Sequence, residues 1–230
     1  MSRIHAVFVV IAFAFAMSAF AQTPDRVDAP VLSKGERWTY VTIDRWKKEK
    51  LSETVGVVAE ADNKSVRIVW QNVKDGKLIG RHTETLSTTE LNAIESGIVE
   101  GKAKTRYTPH DYTFDFPLEI GKTWKGTLIL DVLNESRQVR REITAKVVGW
   151  EAVKTPAGTF NAFKIEKTGY YQRLDQLAPG WGGGTMKWTY WYAPDVKRSV
   201  RIEFEESSNR GVPRWVYTLT ELMAYEPAKK

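Results

Sequence analysis

Apolar and polar residues alternate with a period of two along most of this chain. At residues 200–205, Val200, Ile202 and Phe204 fall on one side and Arg201, Glu203 and Glu205 on the other. A strand with this pattern buries one face and wets the other, as in an antiparallel sheet. Residues 66–70 and 162–166 have the same character, and β-branched and aromatic side chains fill all three segments, as a pleated surface prefers.

Turn chemistry separates the segments. Asp75-Gly76 predicts a hairpin between strands near 65–73 and 77–86. Thr155-Pro-Ala-Gly158 predicts another between 143–153 and 159–167, with proline presetting φ and glycine free to take the positive value. Pro194-Asp195 turns the chain back into 200–205, and Arg210-Gly-Val-Pro213 precedes a last strand at 214–223. One helix is expected near residues 88–96. There Ser87-Thr-Thr-Glu90 reads as a capping box, Leu91 and Ile94 form an i, i+3 apolar pair, and Gly97 can end the helix. It is short, so it is expected to lie over an edge or an open end of the sheet.

A Gly-x-x-Trp pattern occurs twice, at Gly35-Glu-Arg-Trp38 and Gly121-Lys-Thr-Trp124. Each copy follows a proline (Pro30, Pro117), opens a strand and precedes a long hairpin region. This points to an early duplication or to two similar half-sheets. No linker divides the chain; its low-complexity spot, residues 179–184, sits inside a loop at about 172–185. The expected fold is all-β: a strongly curved antiparallel sheet, barrel or sandwich, with the one short helix, in a single domain over residues 22–230.

Aromatic residues are the one compositional excess, with nine Trp and nine Tyr. At residues 188–193, Trp188, Tyr190 and Tyr192 share one face of a strand, and Thr189, Trp191 and Ala193 share the other. Rings on both faces mean that protein covers both, or that one face lines a cavity or groove. Trp181 lies among glycines that offer it no side-chain support, so it docks into the body or is presented to a partner. The candidate ligand-binding residues are therefore Trp181, Trp188, Tyr190, Trp191 and Tyr192.

The first residues change the picture of where this sheet works. Arg3 gives a positive start, residues 7–16 are apolar, and Ala19-Phe-Ala21 is a small-residue cleavage site. Residues 1–21 read as a secretory signal peptide, too short in its apolar part to span a bilayer; an uncleaved anchor is the alternative. The chain has no cysteine, which excludes disulfides, thiol catalysis, cysteine-ligated metals and acylation at a cysteine behind the apolar run. The formal net charge of +6 is interleaved with acids. It fits either attraction to anionic envelope material or a solvated surface with a slight basic bias. Nothing resembles a nucleic-acid recognition motif.

Marks of catalysis are sparse. His82 and His110 stand in no metal-ligand spacing, and no nucleophile elbow, phosphate loop or dinucleotide fingerprint is present. Glu203 and Glu205 alternate with Ile202 and Phe204, which puts these acids on the wet face of an ordinary strand.

Three segments together resemble a family of exported bacterial β-proteins of unknown function: residues 116–124 (Phe-Pro-Leu-Glu-Ile-Gly-Lys-Thr-Trp), 155–166 (Thr-Pro-Ala-Gly-Thr-Phe-Asn-Ala-Phe-Lys-Ile-Glu), and 191–198 (Trp-Tyr-Ala-Pro-Asp-Val-Lys-Arg) with Val200 and Glu203. The N-terminal half matches only through residues 35–38. The resemblance implies export and a β architecture and brings no catalytic residues. The chain is therefore read as an exported, non-enzymatic envelope protein, periplasmic, or secreted as the alternative location. It is expected to bind a lipid, another apolar or amphipathic ligand or an envelope protein through an aromatic-lined groove. A secreted hydrolase or a carbohydrate-binding module is the alternative function. No cofactor, metal, nucleic acid or transmembrane span in the mature chain is expected.

Overall fold

The computed structural model describes residues 24, 26–175, 182–209 and 216–229. The described residues form β1 (Arg37–Asp44), β2 (Glu49–Ala61), β3 (Ser65–Lys74), β4 (Lys77–Thr88), β5 (Ala93–Ile98), β6 (Thr105–Thr108), β7 (Thr123–Val132), β8 (Arg137–Thr155), β9 (Gly158–Arg173), β10 (Gly183–Ala193), β11 (Arg198–Ser208) and β12 (Val216–Glu226). Each strand pairs antiparallel with its neighbours in chain order, and β12 returns to pair with β1. The curved antiparallel sheet expected from the sequence thus closes into a barrel, which leaves no edge strand among the described residues.

Local chemistry sets the registers. Asp75 and Gly76 have φ of 50° and 71°, the left-handed pair that a two-residue hairpin turn demands, so Lys74 faces Lys77. Thr155 faces Gly158 across the proline turn. A single turn of 3₁₀ helix at Pro194–Val196 joins β10 to β11. Alternation then sorts the side chains. Along β8, Val139, Ile143, Ala145 and Val147 are buried, whereas Arg140, Glu142, Thr144 and Lys146 face water. These outward charges are the reverse of the apolar outer band of a lipid-facing barrel. No helix among the described residues is long and apolar enough to cross a membrane.

The helix expected near residues 88–96 is absent; that stretch is the turn between β4 and β5 and most of β5. Thr88 does cap, but it caps a turn. Its Oγ1 accepts the Asn92 N–H at 3.2 Å, its carbonyl accepts the Leu91 N–H at 3.0 Å, and Leu91 takes φ of 64°. Threonine, isoleucine and glycine here are weak helix formers, and a hydroxyl–backbone bond serves a turn as well as a helix start. The buried Asn92 amide then exchanges two hydrogen bonds with the backbone of Phe114, fixing the turn against the segment between β6 and β7.

That segment covers one end of the barrel. Its Phe114, Phe116 and Leu118 are buried in the main core with Trp38, Phe163, Ile165 and Tyr192. The two Gly-x-x-Trp copies reappear as two matching hairpins, β1–β2 and β7–β8. Gly35 and Gly121 have φ of 94° and 91°. The Gly35 N–H donates to the Val58 carbonyl on β2, and the Gly121 N–H to the Val147 carbonyl on β8. Each valine N–H returns a bond, to the carbonyls of Glu36 and Lys122. Both tryptophans point inward and donate Nε1–H to a backbone carbonyl, Trp38 to Val196 and Trp124 to Tyr112.

Candidate functional site

Strand β10 presents its rings as the alternation requires. Trp188, Tyr190 and Tyr192 face the barrel interior: Trp188 stacks on Phe204 with centroids 5.2 Å apart, Tyr190 meets Phe114 at 6.0 Å, and Tyr192 meets Phe114 and Phe116 at 5.5 and 5.3 Å. Trp191 points outward and is nonetheless buried. Long polar side chains lie against it. Its Nε1–H donates to Glu151 Oε1 at 2.6 Å, and the charged ends of Lys164 and Arg201 lie 5.5 and 5.7 Å from its ring. Aliphatic stems under charged heads bury such a ring while keeping the outer surface wet. Trp181 lies outside the described residues.

Inside the barrel, between the β1–β5 wall and β10–β12, a cavity of about 330 Å³ remains. This is the lower end of the range for small-molecule pockets, ~300–1,000 Å³. Tyr40, Trp70, Phe114, Tyr190, Ile68 and Ile202 give it an apolar wall, and Thr54, Thr85, Ser87 and Thr220 add hydroxyls. Of the sequence-named rings, Tyr190 lines this cavity; Trp188 and Tyr192 pack behind it in the core.

Charged residues complete the interior. Asp111 and Arg198 line the cavity. The Asp111 carboxylate accepts the Ala93 and Thr113 N–H groups and the Thr113 hydroxyl. Beside it lies Lys167, whose Nζ donates to the Asp111 carbonyl at 2.8 Å and to Thr113 Oγ1 at 3.1 Å and sits 4.9 Å from the Trp188 ring centroid. Burial pulls the Lys167 ammonium down to about 8; the Asp111 charge resists this and Arg141 adds to it. Burial also raises the Tyr190 hydroxyl, with the Asp111 charge adding to the rise, and raises that of Tyr192, with Arg198 opposing. The Arg198 guanidinium lies 5.2 Å from the Trp38 ring and 5.4 Å from the Trp70 ring. Burial raises the Tyr40 hydroxyl, and the Arg198 charge opposes the rise.

The sequence carries a mark of both Lys167 and Arg198. Lys167 follows the inward phase of Phe163 and Ile165, and Arg198 the phase of Val200, Ile202 and Phe204. A cation on the apolar phase of a strand is the readable signal. Asp111, in an irregular segment, gives none. The two histidines stay outside this site's chemistry. His82 is exposed on β4, 3.9 Å from Glu84. His110 packs on Tyr112 with ring centroids 4.3 Å apart and accepts that residue's N–H.

No protein-family model and no curated protein matches this chain. Solved structures share its fold. One, a candidate lipoprotein from Parabacteroides distasonis, superposes with a TM-score of 0.54 at 14% identity, over 88% of this chain and 100% of that one. Another, a candidate exported protein with a YmcC-like fold from Bacteroides fragilis, gives 0.52 at 17% identity, over 87% and 99%. At these identities the likeness concerns the fold.

Proposed function

We propose that this chain is an exported protein of the bacterial envelope, without catalytic function, that encloses an apolar or amphipathic ligand in the interior of its barrel. The cavity of about 330 Å³ carries the reading, because its wall is aromatic and aliphatic with a few hydroxyls and charges, the usual make-up of a ligand pocket. Export rests on the N-terminal residues and agrees with what the two structural neighbours are named for. Mature protein is expected to begin at or near Gln22; intact-mass analysis of the periplasmic fraction and the culture medium tests this and separates the two locations.

Ligand binding is tested with N-phenyl-1-naphthylamine, a neutral apolar dye. Saturable uptake of about one dye per chain is expected, along with a non-covalent adduct in native mass spectra of protein purified from its own envelope. Protein with neither dye uptake nor adduct would sink the proposal.

A further inference from the structure

Arg198 lines the cavity without an ion-pair partner among the described residues. Every other described arginine except Arg141 has a carboxylate within 4.0 Å, including Arg201, three residues away on the same strand. Arg198 has none among the described residues. Its guanidinium carbon lies 5.2 Å from the Trp38 ring centroid and 5.4 Å from that of Trp70. A guanidinium carries five N–H donors. Arg198 lines the cavity beside Tyr40, whose hydroxyl donates to the Ser199 carbonyl at 2.9 Å.

The acid in the same cavity does not neutralise it. Asp111 spends its carboxylate on two backbone N–H groups and the Thr113 hydroxyl, with the Lys167 ammonium beside it. Asp111 and Arg198 are the charged side chains that line the cavity, and Lys167, beside Asp111, adds a second positive charge behind the wall. A half-buried guanidinium beside two indoles offers a planar fork matched to a carboxylate or a phosphate.

We infer that the barrel takes an amphipathic anion, its carboxylate or phosphate head against Arg198 and its apolar body along Tyr40, Trp70, Phe114 and Tyr190. This rests on the reading of the interior as a ligand cavity and adds the charge and placement of the head group.

The test compares 11-(dansylamino)undecanoate with its methyl ester, which has the same chain and dye without the charge. Wild-type protein should bind the carboxylate at least tenfold more tightly than the ester. Arg198→Met should lower carboxylate affinity to that of the ester while leaving ester affinity within about twofold. Arg198→Lys, which keeps the charge but not the fork, should fall between. Dodecanoate and dodecyl phosphate then compete for the site, and the one that displaces the probe at lower concentration identifies the head group. Displacement by neither overturns the inference.

Equal binding of carboxylate and ester by the wild type would also overturn it and leave the apolar cavity intact, a comparison that needs no variant to fold. An equal loss of both probes in Arg198→Met would show that the arginine only shapes the wall, and overturns the inference too. If neither probe binds and N-phenyl-1-naphthylamine also fails, the ligand-cavity reading falls with it.

Discussion

The hairpin that opens at Gly35 and the one that opens at Gly121 share a backbone and differ in what they put inside it. In register, the inward pairs of the first are Trp38 with Gly56, Tyr40 with Thr54, and Thr42 with Ser52. Those of the second are Trp124 with Ala145, Gly126 with Ile143, and Leu128 with Arg141. Leu128, Leu130, Val139 and Ile143 close into their own apolar cluster. At the matching depth the first hairpin offers Tyr40 and Thr54, and there the cavity opens. One hairpin fills its share of the barrel; its counterpart leaves space lined with hydroxyls.

The side chain after each glycine differs as well. Glu36 is buried, and Lys197 reaches it from the β10–β11 turn at 2.6 Å, 161 positions along the chain. Lys122 stays local, donating to the Asp115 and Pro117 carbonyls at 2.6 and 3.0 Å. The first hairpin thus clasps the end of the aromatic strand, whereas the second ties down the segment that covers the barrel. A repeated backbone frame has been put to two uses, one open and one closed.

Breaking both frames at their anchors should give the largest effects. Trp38→Ala and Trp124→Ala each remove a buried indole and its hydrogen bond, and each is expected to cost ~3–5 kcal/mol by urea unfolding. Trp38 should lie at the upper end, since it is completely buried and also backs Arg198. A loss below ~1 kcal/mol at either position would mean that hairpin is not anchored by its tryptophan.

Exchanging the interiors comes next. Ile143→Thr puts the first hairpin's residue into the closed cluster and should cost ~2–3 kcal/mol, through lost apolar contact and a buried hydroxyl. Thr54→Ile puts the second hairpin's residue into the cavity. It should change stability by less than ~1 kcal/mol, because space receives it, and should reduce uptake of N-phenyl-1-naphthylamine severalfold. If Thr54→Ile destabilises as much as Ile143→Thr and leaves uptake intact, the open-versus-closed contrast is wrong.

Much of this contrast could be read from the sequence, and part of it could not. The strands were legible because one face of each is wet, and the hairpins because Asp75-Gly76 and the Thr155–Gly158 turn require particular backbone angles. The repeat was legible through Gly35 and Gly121. The helix expected near residues 88–96 does not form because hydroxyl capping serves a turn as well as a helix start, and what decides between them is Asn92 meeting Phe114, 22 positions away. The inward rings of β10 were legible as a set, but their partners were not. Whether a ring borders space depends on Thr54 and Ile68 across the barrel, which no local pattern near residue 190 encodes. Trp191 shows the same limit: only the fold brings Glu151, Lys164 and Arg201 over it.

Lys167 makes the stability of the barrel depend on pH. Its folded value is about 8 against an ordinary 10.5, so the unfolded chain binds more protons between those values. The penalty of protonating Lys167 in the fold is fully present below pH 8 and is relieved as pH rises, so its contribution makes stability increase with pH. From pH 8 to 9.5 the gain is at most ~2 kcal/mol, since one proton of difference between the two states is worth about 1.4 kcal/mol for each step of one in pH. Above pH 10 the buried tyrosines reverse the trend. The raised hydroxyls of Tyr190 and Tyr192 contribute stability that is lost once the unfolded chain ionises. Lys167→Met should flatten the rise between pH 8 and 9.5; urea midpoints that climb equally in wild type and variant would remove Lys167 as its source.

The smallest effect is also the cleanest test that the two frames are one design. Gly35→Ala and Gly121→Ala each place a side chain at a φ near +90°, and an added Cβ would meet nothing within 4 Å at either site. No clash contributes, so the penalty is that of the backbone angle alone, ~1–2 kcal/mol for an L-residue on the left-handed side, less a few tenths regained because alanine restricts the unfolded chain. The surroundings differ: Glu36 is clasped by a distant lysine, and Lys122 is held by its own loop. If the frame alone sets the cost, the two substitutions should shift the urea midpoint by the same amount within error. A clear inequality would locate the extra cost in the side chain that follows the weaker glycine. The Gly35→Ala/Glu36→Gln pair, set beside Gly121→Ala/Lys122→Met, would then show whether the clasp or the loop depends on the bend. Equal costs would leave the side chains inside the barrel as what distinguishes the open half from the closed one.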